Sequence, residues 1–296
     1  MNKVRGMPST MIGGAKDKVN DGKEKKLEKG DKGREAPILP KNNPDQNNED
    51  QVRGDGSSRT KSRLLPLPKE RLPKLEELLK AGVHFGHQKS RCDPRAGSYI
   101  FGERCVIHII DLKITHKKLE VALDKIKSIV EGKGTILFLG TKKQICGLVK
   151  EAAELTGMPQ VTGRWLGGTF TNFATLSRRV QKLLDLEKKN EGGELNHYTK
   201  KERADFKKLI EDFEKNMGGI KNLKELPNAI FVVGAKEEST AVSEARKTGV
   251  CVIALTDTNN NPGEIDFPIP ANDDAVKSAQ LILRYVVREI QEANGK

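Results

Sequence analysis

Long apolar runs are missing from this chain. Nowhere do about 18 apolar residues follow one another, the length a membrane-spanning helix needs. Aromatics are scarce too, at 4% of residues with a single Trp, so a large aromatic-lined ligand pocket is not expected. The phosphate-loop pattern G-x-x-x-x-G-K-[ST], the dinucleotide pattern G-x-G-x-x-G and the nucleophile turn G-x-S-x-G are all absent. Only four cysteines occur: Cys92, Cys105, Cys146 and Cys251. With no apolar segment of secretory type near the start, they read as reduced thiols of a cytoplasmic-type compartment.

What the chain has in quantity is charge. Among 296 residues, 53 Lys and Arg face 41 Asp and Glu, a formal +12 with a pI near 9.4. Such a balance suits a polyanionic partner. The apolar residues are not spread evenly. No aromatic precedes Phe85, and the first 72 residues are mostly Lys, Glu, Asp, Asn, Gly and Pro. A segment of that kind buries too little to offset its conformational entropy, so residues 1–72 are expected to be a disordered charged extension. Asp17, Asp21, Glu24, Glu28 and Asp31 break the basic face an organelle transit peptide would need.

Beyond it, Leu75 to Ala81 has the pattern of a short amphipathic helix stopped by Gly82. Cys105 to Ile110 is β-rich. Leu119, Ala122, Leu123, Ile126 and Val130 follow helical spacing. The aliphatic runs Thr135–Leu139, Ala229–Val233 and Val250–Leu255 alternate with helical patterns, the last over about 273–292. Uninterrupted aliphatic strands alternating with amphipathic helices predict a parallel sheet covered on both faces. The expected fold class is therefore α/β, a three-layer α/β/α sandwich with about five parallel strands, formed by residues 73–172 and 227–296.

Residues 173–226 interrupt this alternation. The first arm carries Leu176, Val180, Leu183 and Leu184. Glu191-Gly192-Gly193 breaks it, and Thr199 to Glu202 forms a capping box. The second arm carries Phe206, Leu209, Ile210, Phe213 and Met217. Narrow apolar seams on otherwise charged helices predict an inserted antiparallel hairpin of coiled-coil type.

Several clusters carry chemistry. The loop after His84 holds Gln88, Lys89, Arg91 and Arg95, with Arg104 further on and Tyr99 and Phe101 nearby; cations among aromatics suit phosphate contact and base stacking. Lys142 and Lys143 follow a strand end and offer a second phosphate contact. Gly163 to Asn172 encloses the only Trp between glycines; Arg164, Thr169, Thr171 and Asn172 are donors for phosphate and ribose, and Trp165 reads equally as the plug at the hairpin base. Arg178 and Arg179 continue the basic series into the first arm. His84, His87, Cys92 and Cys105 invite a zinc reading, against which they are hydrogen-bonding loop residues and packing thiols. Asp257 and Asp266 at a strand end lack an accompanying nucleophile and read as turn and cap residues.

These motifs, in order, resemble one family. Ala81-Gly82-Val83-His84-Phe85-Gly86-His87, Tyr99-Ile100-Phe101-Gly102, Ile107 to Leu112, Gly163 to Thr169, Asp257-Thr258 and Pro268 to Ala275 are similar to those of the S2 family of small-subunit ribosomal proteins. The resemblance covers about 74–293, and the inserted hairpin matches the bacterial and organellar branch. Phe170 stands where Leu is usual, and Cys92 and Cys105 stand where other residues are common. The resemblance implies a non-enzymatic structural protein of the small subunit, with no cofactor and no small-molecule substrate. It implies small-subunit rRNA and neighbouring ribosomal proteins as partners, the mRNA-binding protein S1 included, and a cytoplasmic ribosome of bacterial type, with an organellar ribosome left open. It directs Gln88, Arg91, Arg95, Arg164, Trp165, Thr169 and Asn172 towards rRNA. Two other readings remain at this point: an α/β enzyme binding a nucleotide or small ligand, and a coiled-coil protein-interaction module.

Overall fold

A computed structural model describes residues 62–192, 199–221 and 223–295. The expectation of disorder falls largely on residues 1–61, outside the described residues.

The centre is a five-stranded parallel sheet in the order β5-β4-β6-β7-β8, made of Gln160–Val161, Ile136–Leu139, Ala229–Val233, Cys251–Thr256 and Phe267–Pro270. Its register is regular, with Phe138 beside Phe231 and Phe231 beside Ile253. Because side chains alternate, each strand feeds two cores. Ile136, Phe138, Phe231 and Ile253 pack on one side with helices α2 (Leu112–Glu131), α3 (Cys146–Thr156) and α7 (Val276–Ala293). Leu137, Leu139, Ile230 and Val232 pack on the other with α6 (Ser239–Thr248) and the near ends of α4 (Phe173–Glu191) and α5 (Lys200–Met217). Both faces of β4 and β6 are thus covered, which is why their sequences contain no polar residue.

The β-rich run at 105–110 takes a different place. Ile107–Ile110 (β3) lies between Phe85–Gln88 (β1) and Ile100–Arg104 (β2) in a separate antiparallel sheet, order β1-β3-β2. Short helix α1 (Leu75–Lys80) precedes it, followed by Gly82 in the left-handed region.

Residues 62–72, grouped by sequence with the extension, lie on the α/β unit. Leu64 is fully buried in the first core, and its N–H donates to Glu151 Oε1 at 2.9 Å. Arg71 pairs with Glu289 at 3.3 Å and also with Asp124. The packed unit therefore begins before residue 73.

Helices α4 and α5 contact each other. The expected capping box opens α5: Glu202 N–H donates to Thr199 Oγ1 at 3.4 Å, and Thr199 N–H to Glu202 Oε2 at 3.0 Å. Leu176, Val180 and Met217 are buried near the sheet, while Leu209 further along α5 is exposed.

Candidate nucleic-acid interface

Three groups of candidate residues emerge. The first follows β1. Gln88 is exposed at the end of β1, Lys89, Arg91 and Arg95 are exposed on two short 3-10 turns, 89–91 and 94–99, and Arg104 is exposed at the end of β2. Asp93 caps the second turn through Arg95 N–H at 2.9 Å and also accepts both arms of the Arg95 guanidinium at 3.0 Å. Lys89 pairs with Glu103 at 3.0 Å. Exposed pairs of this kind are weak and exchange readily for a phosphate. Arg91 and Arg104 form no ion pair among the described residues. Phe101 beside them is 78% exposed.

The loop is tied to the ends of the parallel strands through His87. Its Nδ1 lies 3.1 Å from Asp257 and its Nε2 lies 3.3 Å from Asp274, while its N–H donates to Thr258 Oγ1 at 2.9 Å. The carboxylate of Asp257 raises the imidazole above its ordinary value, against the opposite pull of burial. His87, Gln88, Arg91 and Ile107 line a cleft of about 270 Å³ together with Asp257, Asn272 and Asp274.

The second group corrects an expectation. Lys142 does not present its charge outward: Nζ lies 2.8 Å from Asp273, 2.8 Å from Asp274 and 3.4 Å from Glu237. Burial alone would lower this lysine, but the carboxylates outweigh it and hold it above the lysine range. Gly234, at φ +91°, lets the stem pass; a Cβ there would sit 2.9 Å from Lys142 Cε. A half-buried lysine held by three carboxylates, one of them the buried Asp273, is a structural ion pair and does not offer its charge to a phosphate. Lys143 next to it is exposed.

The third group is the 163–172 loop. Trp165 is 8% exposed and meets Phe170 edge-to-face at 4.9 Å. Thr169 is buried, and its hydroxyl is spent on Leu166 O. Both are therefore held inward, and Trp165 is the plug of the second core. Arg164, Thr171, Asn172, Arg178 and Arg179 are exposed. Thr169, Asn172 and Arg179 line one small cleft of about 60 Å³.

Sequence reasoning missed what holds this loop. Glu244 of α6 is buried and accepts N–H bonds from Gly168 at 2.8 Å and Phe170 at 3.0 Å, with Trp165 Nε1 and Thr171 at 3.4 Å. Burial pushes its carboxyl up, but those donors outweigh it and hold it below the ordinary range. Gly168, at φ +89°, gives the loop the turn that aims its N–H there. The signal was present: Glu244 sits between Ala241 and Ala245 on the buried face of α6.

The four zinc candidates are not a ligand set. His84 meets the Phe85 ring in a tilted contact at 4.0 Å, His87 faces the two acids, Cys92 Sγ lies 3.4 Å from Asp93 O, and Cys105 is exposed on the β2–β3 turn. Among the described residues no group of three or more His, Cys, Asp and Glu, the His87, Asp257 and Asp274 cluster included, has the arrangement of a metal-ligand set. Asp266 accepts Val252 N–H at 2.8 Å, a structural role.

The family model for ribosomal protein S2 matches residues 78–293. The chain is also 46% identical over 221 residues, 74% of its own length and 90% of the other's, to the small ribosomal subunit protein uS2 of Fusobacterium nucleatum.

Proposed function

This chain belongs to the ribosomal protein S2 family and is a structural, non-enzymatic constituent of the small ribosomal subunit; from that premise we propose that it holds rRNA mainly through the loop after β1 and the 163–172 loop. One observation carries this reading. Arg91, Arg104, Arg164, Arg178 and Arg179 are exposed and free of carboxylate partners among the described residues, while the acids nearby are consumed within the fold. Unpaired guanidiniums on the two loops, at the end of β2 and in the first turns of α4 offer paired donors to phosphate oxygens. Gln88, Lys89, Arg95, Lys143, Thr171 and Asn172 extend the contact, and Trp165 and Thr169 position it from within.

Helices α4 and α5 act as an antiparallel coiled-coil hairpin whose charged outer surface faces rRNA and neighbouring proteins. The ribosome is of bacterial type, which the Fusobacterium relative supports. Protein S1 is among the neighbours, a reading that rests on the family resemblance.

Sedimentation of the full chain from gently lysed cells tests the proposal. It is expected to travel with small subunits in low salt and to leave as salt rises, because phosphate contacts release counterions. A chain that stays in the soluble fraction at every salt concentration overturns it.

A further inference from the structure

The outer face of the small antiparallel sheet plays no part in either core. Across β1, β3 and β2, Phe85, Ile109 and Gly102 form one row and Gln88, Ile107 and Arg104 the next. Opposed residues of antiparallel strands share a face, and Ile107 and Ile109 are two apart, so both rows lie on one side. The first row points away from the parallel sheet, while Gln88 and Ile107 of the second open into the cleft that His87, Asp257 and Asp274 also line. A Cβ on Gly86 would run into the Thr258 side chain at 2.7 Å, so Gly86 faces inward and Phe85 outward.

Three features of this face are unusual for a surface with no partner. Phe85 is 49% exposed. A Cβ at Gly102 would meet nothing within 4 Å, so the row ends in bare backbone open to solvent, where a flat group can come close. The β2–β3 turn carries Cys105 at φ +51° and Val106 at φ +67°, both exposed. Asn and Gly are the residues that fit such a turn, and a β-branched Val there is a genuine outlier. Folding alone does not call for an exposed Phe, a bare strand centre and a strained Val at the tip of one hairpin sheet.

The rim decides the partner. Arg104 ends the second row, exposed and without a carboxylate partner among the described residues; Arg91, also unpaired among them, lines the cleft with Gln88, Ile107 and the acids Asp257 and Asp274. A partner with flat apolar faces joined by anionic links is a single-stranded stretch of RNA, whose bases stack on aromatic rings of a sheet while its phosphates meet cations. Resting on the rRNA-binding reading above, we propose that the outer face of β1-β3-β2 is a stacking platform for unpaired rRNA bases. Phe85 supplies the ring, Gly102 the open floor, and Arg104 the phosphate contact.

The test is rebinding of the full-length protein to small subunits stripped of it, with the affinity for the particle measured across a salt series. Phe85→Leu keeps apolar area but removes the ring, and is expected to weaken binding about 10-fold without changing the slope of log K against log salt. Phe85→Trp is expected to bind as the parent does, which separates loss of stacking from a folding defect. Arg104→Gln is expected to weaken binding and flatten the salt slope by about one unit. Unchanged affinity of Phe85→Leu, with steep salt dependence of the parent, overturns the platform and leaves the rRNA-binding role standing. Loss of only a neighbouring ribosomal protein from the particle also overturns it, because the face would then be a protein contact. Salt-independent binding of the parent overturns the rRNA-binding role itself.

Discussion

Every residue of β4 and β6 is buried, whereas in β1, β2 and β3 only Ile110 is. The difference is one of cover. Strands β4 and β6 have helices on both faces and are apolar throughout; the antiparallel strands have the protein on one face and solvent on the other, and they carry Phe85, Phe101, Gln88 and Arg104 outward. Stability and contact surface are thereby assigned to different sheets. Changes in the first should cost folding free energy, and changes in the second should cost binding.

The largest expected effect tests that division directly. Phe231→Ala removes a fully buried ring at the centre of the first core and should cost about 4 kcal/mol. Phe101→Ala, on an exposed ring, should stay within about 0.5 kcal/mol. Denaturant unfolding of the two variants checks both values, and equal costs would break the comparison.

Leu64→Ala comes next, at about 3 kcal/mol, because its side chain is fully buried beside α3 although it precedes the region the family model matches. A midpoint equal to the parent's would show that residues 62–72 lie outside the cooperative unit.

A smaller effect of opposite sign is expected at the hairpin tip. Replacing Cys105 and Val106 by Asn and Gly should relieve left-handed strain and raise stability by about 1 kcal/mol. A fall in melting temperature would contradict the strain argument.

The smallest effect is a pH dependence. Asp257 raises His87, so the stabilisation is fully present below the ordinary histidine value near about 6.5 and is lost as pH rises through the folded-state value. His87→Gln should remove that part of the slope of stability against pH between about 6 and 8. An unchanged slope would separate His87 from it.

Much of the fold was legible in the sequence because uninterrupted aliphatic strands admit few other placements. Ile136–Leu139, Ala229–Val233 and Cys251–Thr256 lie where their patterns put them. The run ending at Ile110 is as β-rich as these, but its partners are Phe85–Gln88 and Ile100–Arg104, and glycines and charges hid both as strands. Leu64 stands in Leu64-Leu65-Pro66-Leu67-Pro68, where the prolines interrupt the leucines and leave neither a helical nor a strand period to mark a packed segment. At the candidate interface, residue types were legible but directions were not. Lys142 and Lys143 are neighbours with the same chemistry, and only the fold shows that one is consumed by Asp273 and Asp274 while the other is exposed. Trp165 and Arg164 divide in the same way, since burial depends on contacts with Phe170 and Glu244 that are distant or unmarked in sequence.

Hydrogen exchange of the full chain, free and rebound to small subunits, tests the central division between the two sheets most directly. The account predicts slowed exchange on rebinding over residues 84–109, with β4 and β6 already protected in the free chain and unchanged. Exchange over 84–109 that is the same in both states would contradict it.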